Sequence, residues 1–140
     1  MTLRRSSLPR QRLFMLALLA LSWIGCRPRA GRVRQAGDVD DVLRHVEGGN
    51  AKRGRVAIAQ FGCGSCHSIP GIPGARGMVG PSLDHWRQRR VIAGEVPNDP
   101  QRLITWLTVP QAIEPGSVMP NMGVTDGEAR DMAAYLYTLR

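Results

Sequence analysis

Residues 63–67 read Cys63-Gly64-Ser65-Cys66-His67, and the segment before them, Gly54 to Phe61, reads as helix rather than strand. C-x-x-C-H is the attachment signature of a c-type haem. Two thiols three positions apart on a helical turn face the same way, so each can add to one vinyl group of a single porphyrin. His67, next along, then offers an imidazole nitrogen to the iron from one side. Two other chemistries use a C-x-x-C pair. A thioredoxin-like redox centre needs a strand before the motif and a βαβ frame around it, and the pattern here supplies neither. A zinc site built on two cysteines and His67 needs a fourth ligand, and the sequence has no second cluster. One covalently attached haem c, held by Cys63, Cys66 and His67, is therefore the expected cofactor.

Outward from the motif the chain bends often. From 62 to 81, nine of twenty positions are chain-bending or chain-stiffening: Gly62, Gly64, Gly71, Gly74, Gly77, Gly80, Pro70, Pro73 and Pro81. So long an irregular stretch is unusual in a compact domain. It makes sense if a bulky cofactor fills the middle, which also suits an aromatic content of only 5%. Helical patterns flank it. Residues 50–61 follow Asn50 as N-cap, with Gly54 and Ile58 on one face. Residues 100–108 begin with Asp99 as cap and Pro100 at the first helical position, and stop before Pro110. Residues 126–139 start from a capping-box spacing at Thr125 and Glu128, and Ala129, Met132, Ala133 and Leu136 recur at helical intervals. No alternating run is long enough for a strand. The expected fold is all-α, three or more helices around one haem over residues 48–140.

Four further stretches carry a likeness: Gly54-x-x-x-Ile58, Gly80-Pro81-Ser82-Leu83, Pro115-Gly116-Ser117-Val118-Met119-Pro120, and residues 131–139. With the haem motif they make 48–140 resemble the class I cytochromes c, above all the cytochrome c domains that serve, or are fused to, bacterial haem-copper oxidases. The resemblance implies the cytochrome c fold, with the first helix crossing the last at a small residue; Tyr135 and Leu136 look like crossing residues. It implies that the Pro81 carbonyl accepts the second N–H of His67, a contact that tunes the ligand. It also implies Met119 as distal iron ligand and the Trp106 indole N–H near a haem propionate, although core packing accounts for Trp106 equally well.

The residues alone leave the sixth ligand open among Met78, Met119, Met122, Met132, His85 and none. Met132 lies on the packing face of the last helix. Met78 is close to the histidine side, and Met122 suits a place beside the ring edge. His85, beside Trp86 and Arg87, suits a surface. Met119 precedes Pro120, which holds it extended, and the family likeness falls there. A His67/Met119 pair raises the reduction potential and leaves no position for substrate, so the expectation is a one-electron carrier and not an enzyme. Its redox partners would be a terminal oxidase, a quinol-oxidising complex or a dehydrogenase. The alternatives are a haem subunit of a respiratory complex, a haem sensor or enzyme with a labile Met119, and a thiol–disulfide oxidoreductase. The run Arg87, Arg89 and Arg90 reads as a solvated face, or else as a propionate or acidic-partner contact.

The 140-residue chain carries 19 Lys+Arg and 11 Asp+Glu, a formal charge of +8. Residues 1–12 hold four arginines and no acid, and residues 13–24 read LFMLALLALSWI. A basic start followed by a short apolar run is an export signal; twelve helical residues rise about 18 Å, short of the roughly 30 Å hydrocarbon core. Residues 1–25 are therefore expected to be a signal peptide or membrane anchor. Cys26 resembles a lipoprotein acylation site, with Trp23 departing from that pattern. Without residues 1–26 the charge falls to +4, too mild for a nucleic-acid binder without a recognisable motif. Residues 26–47, arginine-rich and then acidic at Asp38, Asp40 and Asp41, read as a tether, with a helical turn at 39–46 and a solvated His45. As a flexible coil the tether would span about 25 Å. The expected location is the periplasmic side of the membrane, held there by the anchor or a lipid.

Overall fold

The computed structural model describes residues 45–140; the expected signal, Cys26 and nearly all of the expected tether lie outside the described residues. Within them, α1 spans Ala51–Gln60, α2 spans Pro100–Thr108 and α3 spans Asp126–Leu136. Val46, in the stretch whose composition reads as tether, is buried, and neither it nor the exposed His45 is helical.

Each helix starts at a residue built for the purpose. The Asn50 side chain accepts from Lys52 N and Arg53 N at 3.0 and 3.1 Å, satisfying donors that an opening turn leaves unpaired. Asp99 does the same for Arg102 N at 2.9 Å, with Pro100 behind it. Thr125 and Glu128 form a reciprocal capping box, Thr125 N donating to Glu128 Oε2 at 2.9 Å and Glu128 N to Thr125 Oγ1 at 3.4 Å. The Thr125 hydroxyl, donating to Glu128 Oε2 at 2.6 Å, and then the Thr125 N–H hold the Glu128 carboxyl below the usual carboxylate range.

α1 and α3 form the principal helix contact. The face of α1 that meets α3 is Gly54, Ala57 and Ile58, a one-turn stripe. A Cβ on Gly54 would lie 1.8 Å from the Asp131 carbonyl oxygen, so only glycine allows the two backbones to approach this closely. Asp131 closes the crossing with its side chain. Only 8% exposed, it accepts from Asn50 N at 2.7 Å and from Arg53 Nε and Nη2 at 2.6 and 2.8 Å. The Arg53 hydrogen bonds hold its carboxyl below the usual range, and burial opposes them.

The last helix is shorter than the pattern 126–139 indicates. It stops at Leu136, and Thr138 N and Leu139 N bond three residues back, to Tyr135 and Leu136. Tertiary contacts pull this end inward: buried Tyr137 donates its hydroxyl to Asn98 Oδ1 at 2.8 Å, and Leu139 O accepts from Arg87 N at 3.0 Å. The structure also contains a hairpin absent from the sequence reading, β1 Val91–Ile92 paired antiparallel with β2 Val96–Pro97. Two residues per strand are too few to show alternation. Its turn runs through Ala93 and Gly94 at φ +55° and +81°, a left-handed pair that Asn-Gly would have announced. Asn98, beside it, is buried and donates to the carbonyls of Trp86 and Arg89, both at 3.1 Å. Leu103, Met132, Ile58 and Ile92 lie at the centre of the core.

Candidate haem site

α1 ends at Phe61, and Gly62 turns the chain with φ +68°, the left-handed step that commonly closes a helix. Cys63–Ser65 follow as a single 3₁₀ turn. His67 N and Cys66 N both donate to Cys63 O, at 3.0 and 3.3 Å, so the five residues form one compact turn. Cys63 and Cys66 are half-buried thiols with no disulfide between them. Burial pushes the Cys63 thiol up from its ordinary value, opposite to the depressed thiols of redox-exchange centres.

The glycine-rich returning segment lies against the motif's backbone. Gly77 N donates to Gly64 O at 3.1 Å and Gly80 N to Cys66 O at 2.8 Å. The contact is too close for side chains: a Cβ on Gly64 would stand 2.6 Å from Ala75 Cβ, and one on Gly77 would stand 2.3 Å from the Cys66 carbonyl carbon. The irregular segment is therefore pinned to the motif on one side.

His67 is half-buried, and its ring rests on Gly80. A Cβ there would come within 2.2 Å of Cε1 and 2.8 Å of Nε2. Nδ1 is 2.7 Å from Pro81 O. A carbonyl can only accept, so Nδ1 carries the proton and Nε2 keeps its lone pair. Leu83 N to Ser68 O at 2.8 Å ties down the far end of this support.

Met119 is half-buried and packs against the core on a different segment, downstream of the 3₁₀ turn Pro110–Ala112. Of the other sixth-ligand candidates, Met132 is fully buried within α3, Met78 is 94% exposed, and Met122 and His85 are exposed. Trp106 is half-buried against the core. Trp86 is the more deeply buried indole, and its N–H has no acceptor among the described residues. The arginine run is not the solvated face that its composition indicates. Arg89 lies over the Trp86 ring, 5.1 Å from the centroid, and bonds Ser82 O, while Arg87 donates to Tyr137 O at 3.4 Å; Arg90 is exposed. A cleft of about 220 Å³, lined by His45, Val46, Arg87, Ala134, Tyr137 and Thr138 among others, includes none of the four candidate haem residues.

Two thiols on one turn, an imidazole whose Nδ1 is engaged by Pro81 O and a half-buried thioether on a later segment suit a c-type haem in donor chemistry. Among the described residues no group of three or more His, Cys, Asp or Glu is placed to hold a metal ion. A helical domain that carries such a donor set points to a haem-binding protein of the cytochrome type. The sequence model described as "Cytochrome c" matches residues 51–140, and the chain belongs to the cytochrome c family. It is also similar to cytochrome c oxidase subunit 2 of Alkalihalophilus pseudofirmus, 34% identical over 93 residues, which is 64% of this chain and 26% of that relative. The chain thus spans about a quarter of the length of the curated relative it matches.

The sequence alone assigns no role to the side chains of Asp131, Asn98 and Gln111. The partners that give them a role are remote in sequence for the first two and irregular in spacing for the third.

Proposed function

We propose that this cytochrome carries single electrons on one haem c, which Cys63 and Cys66 would bind through thioether links and whose iron His67 Nε2 and Met119 Sδ would hold. When bound, the haem supplies reversible one-electron chemistry at its iron. The chain's residues do the rest. Cys63 and Cys66 hold the porphyrin covalently, so it cannot dissociate. Pro81 O fixes the proton on His67 Nδ1, orients the ring and increases the basicity of Nε2. Gly80 gives the ring its seat. Met119, a soft donor, favours the reduced iron and raises the potential. With His67 and Met119 both holding the iron, it would offer no position to a substrate, which supports a carrier over an enzyme. The observation that carries this reading is the His67 Nδ1 to Pro81 O hydrogen bond at 2.7 Å, which leaves Nε2 unprotonated for the iron. The raised Cys63 thiol and the helix before the motif weigh against disulfide exchange.

The reading extends to place and partner. An exported chain, held at the periplasmic face by residues 1–25 or by a lipid on Cys26, would pass electrons to a terminal oxidase or another respiratory complex. The similarity to an oxidase subunit favours a second form of it, a fixed haem subunit of such a complex. Purification separates them: a monomer free of integral membrane proteins supports the carrier, and stoichiometric co-purification supports the subunit.

Absorption spectra and intact mass of protein made with a haem-attachment system test the core of the proposal. A mass of chain plus one haem is expected, with a sharp low-spin reduced spectrum and the weak iron–sulfur band when oxidised. Met119→Ala is expected to keep the haem and lose that band. A native spectrum in M119A, lost instead in Met122→Ala, would overturn the ligand assignment.

A further inference from the structure

We propose that Gln111 is the positioning residue for the distal methionine, a latch that holds the Met119 segment ready for iron. This rests on Met119 being the sixth ligand. The Gln111 amide nitrogen donates to Met119 O at 2.8 Å and to Ser117 O at 3.3 Å. An amide NH₂ has two hydrogens, and both carbonyls within its reach lie on the Ser117–Met119 segment. Met119 N donates to Ser117 Oγ at 3.2 Å, so Met119 is tied at both backbone polar groups, and Pro120 after it has no N–H to offer.

The base of the latch is rigid. Gln111 sits on the 3₁₀ turn that directly follows α2, and Pro110 beside it is fully buried. Ile113 N and Glu114 N both return to Pro110 O at 3.0 Å. Within the loop, Gly116 N donates to Glu114 Oε1 at 3.0 Å and Ser117 N to Glu114 O at 2.9 Å. Packing holds the tip only in part: Val118 is 89% exposed, while the Met119 side chain is half-buried against the core. The Gln111 amide adds a backbone bridge between the anchored base and the ligand-bearing tip. A thioether is a weak donor to ferric iron. Its occupancy depends on how little freedom the segment regains when the bond opens.

Gln111→Glu tests this with an isosteric change that removes both N–H donors and sets a carboxylate against two carbonyls; Gln111→Ala is the second variant. Full-length haem-loaded protein is titrated with imidazole in the ferric state and with carbon monoxide in the ferrous state, and the iron–sulfur band is followed on warming. Both variants are expected to bind imidazole roughly tenfold more tightly than wild type, the order set by losing two neutral hydrogen bonds, and to lose the band at lower temperature. The ferrous form is expected to change less, because reduced iron holds methionine more firmly. Unchanged imidazole affinity in both variants would overturn the proposal. So would equal weakening in both oxidation states accompanied by a matching fall in global stability, which is the mark of a structural residue. If wild type lacks the iron–sulfur band, or M119A keeps it, the ligand assignment has failed instead, and the latch fails with it.

Discussion

Gly80 and His85 are five positions apart and make opposite demands on the backbone. Gly80 has no room for a side chain, since a Cβ would enter the His67 ring at 2.2 Å from Cε1. Gly80→Ala is expected to displace the imidazole from Pro81 O and cost about 1–3 kcal/mol, as overpacking does. Denaturant unfolding reads the loss of stability, and the absorption spectrum reads the loss of the low-spin form. His85 has room but an unsuitable geometry, with φ +49° and an exposed side chain. Left-handed backbone strains a non-glycine residue by about 1–2 kcal/mol, and glycine returns part of that gain as freedom of the unfolded chain. His85→Gly is therefore expected to stabilise by about 0.5 kcal/mol while leaving the haem spectrum unaltered. The motif Cys63–His67 and the Gly80-Pro81 pair were readable because the information in each is local. The burial of Trp86 was not. Next to His85, Arg87 and Arg89 it has the neighbours of a surface residue, and contacts remote in sequence turn that segment inward: Asn98 reaches the Trp86 and Arg89 carbonyls, and Arg87 N donates to Leu139 O.

At the scale of elements, caps were legible and partners were not. Asn50, Asp99 and Thr125 each announce a helix start because a cap acts within three residues. The stopping point of α3 was missed, since the tie to Asn98 that turns Tyr137 inward reaches a remote loop. The crossing of α1 and α3 makes two predictions. Gly54→Ala would drive a methyl into the Asp131 carbonyl and is expected to separate the helices, lowering the midpoint of thermal unfolding by several degrees for about 1–3 kcal/mol. Asp131 gives the crossing a pH dependence. Its folded-state carboxyl is held below the ordinary aspartate value of about 3.9 by Arg53 and Asn50 N. The stabilisation is therefore fully present above that value and lost as pH falls through the lower folded one. Urea unfolding between neutral pH and strong acid is expected to show this loss in wild type and a flatter profile in Asp131→Asn. An identical acid slope in both would remove the Arg53–Asp131 pair from the account.

For the molecule as a whole, the four candidate haem residues Cys63, Cys66, His67 and Met119 all lie within the described residues 45–140. A chain lacking residues 1–33, made with haem attachment in the same compartment, is expected to give the full-length absorption spectrum; a different spectrum would mean that residues 1–33 contribute to the site. The all-α class and the order of its helices could be read from the sequence. Spatial closure could not, because a glycine that admits a neighbouring backbone looks like any other glycine until the neighbour is known.

The pairing of Gly54 with Asp131 joins the first and last helices of the domain, and this has a consequence for the order in which the chain is completed. Cys63 and Cys66 are synthesised early, on the turn that directly follows the helix that must wait for its mate. Until the residues around Asp131 have emerged, α1 has no surface to dock on, and a single ten-residue helix is marginal in water. Docking is therefore a late, non-local event. The thiols thus stay accessible until the carboxyl-terminal helix has docked, and the proposed covalent attachment would be made before that docking is complete.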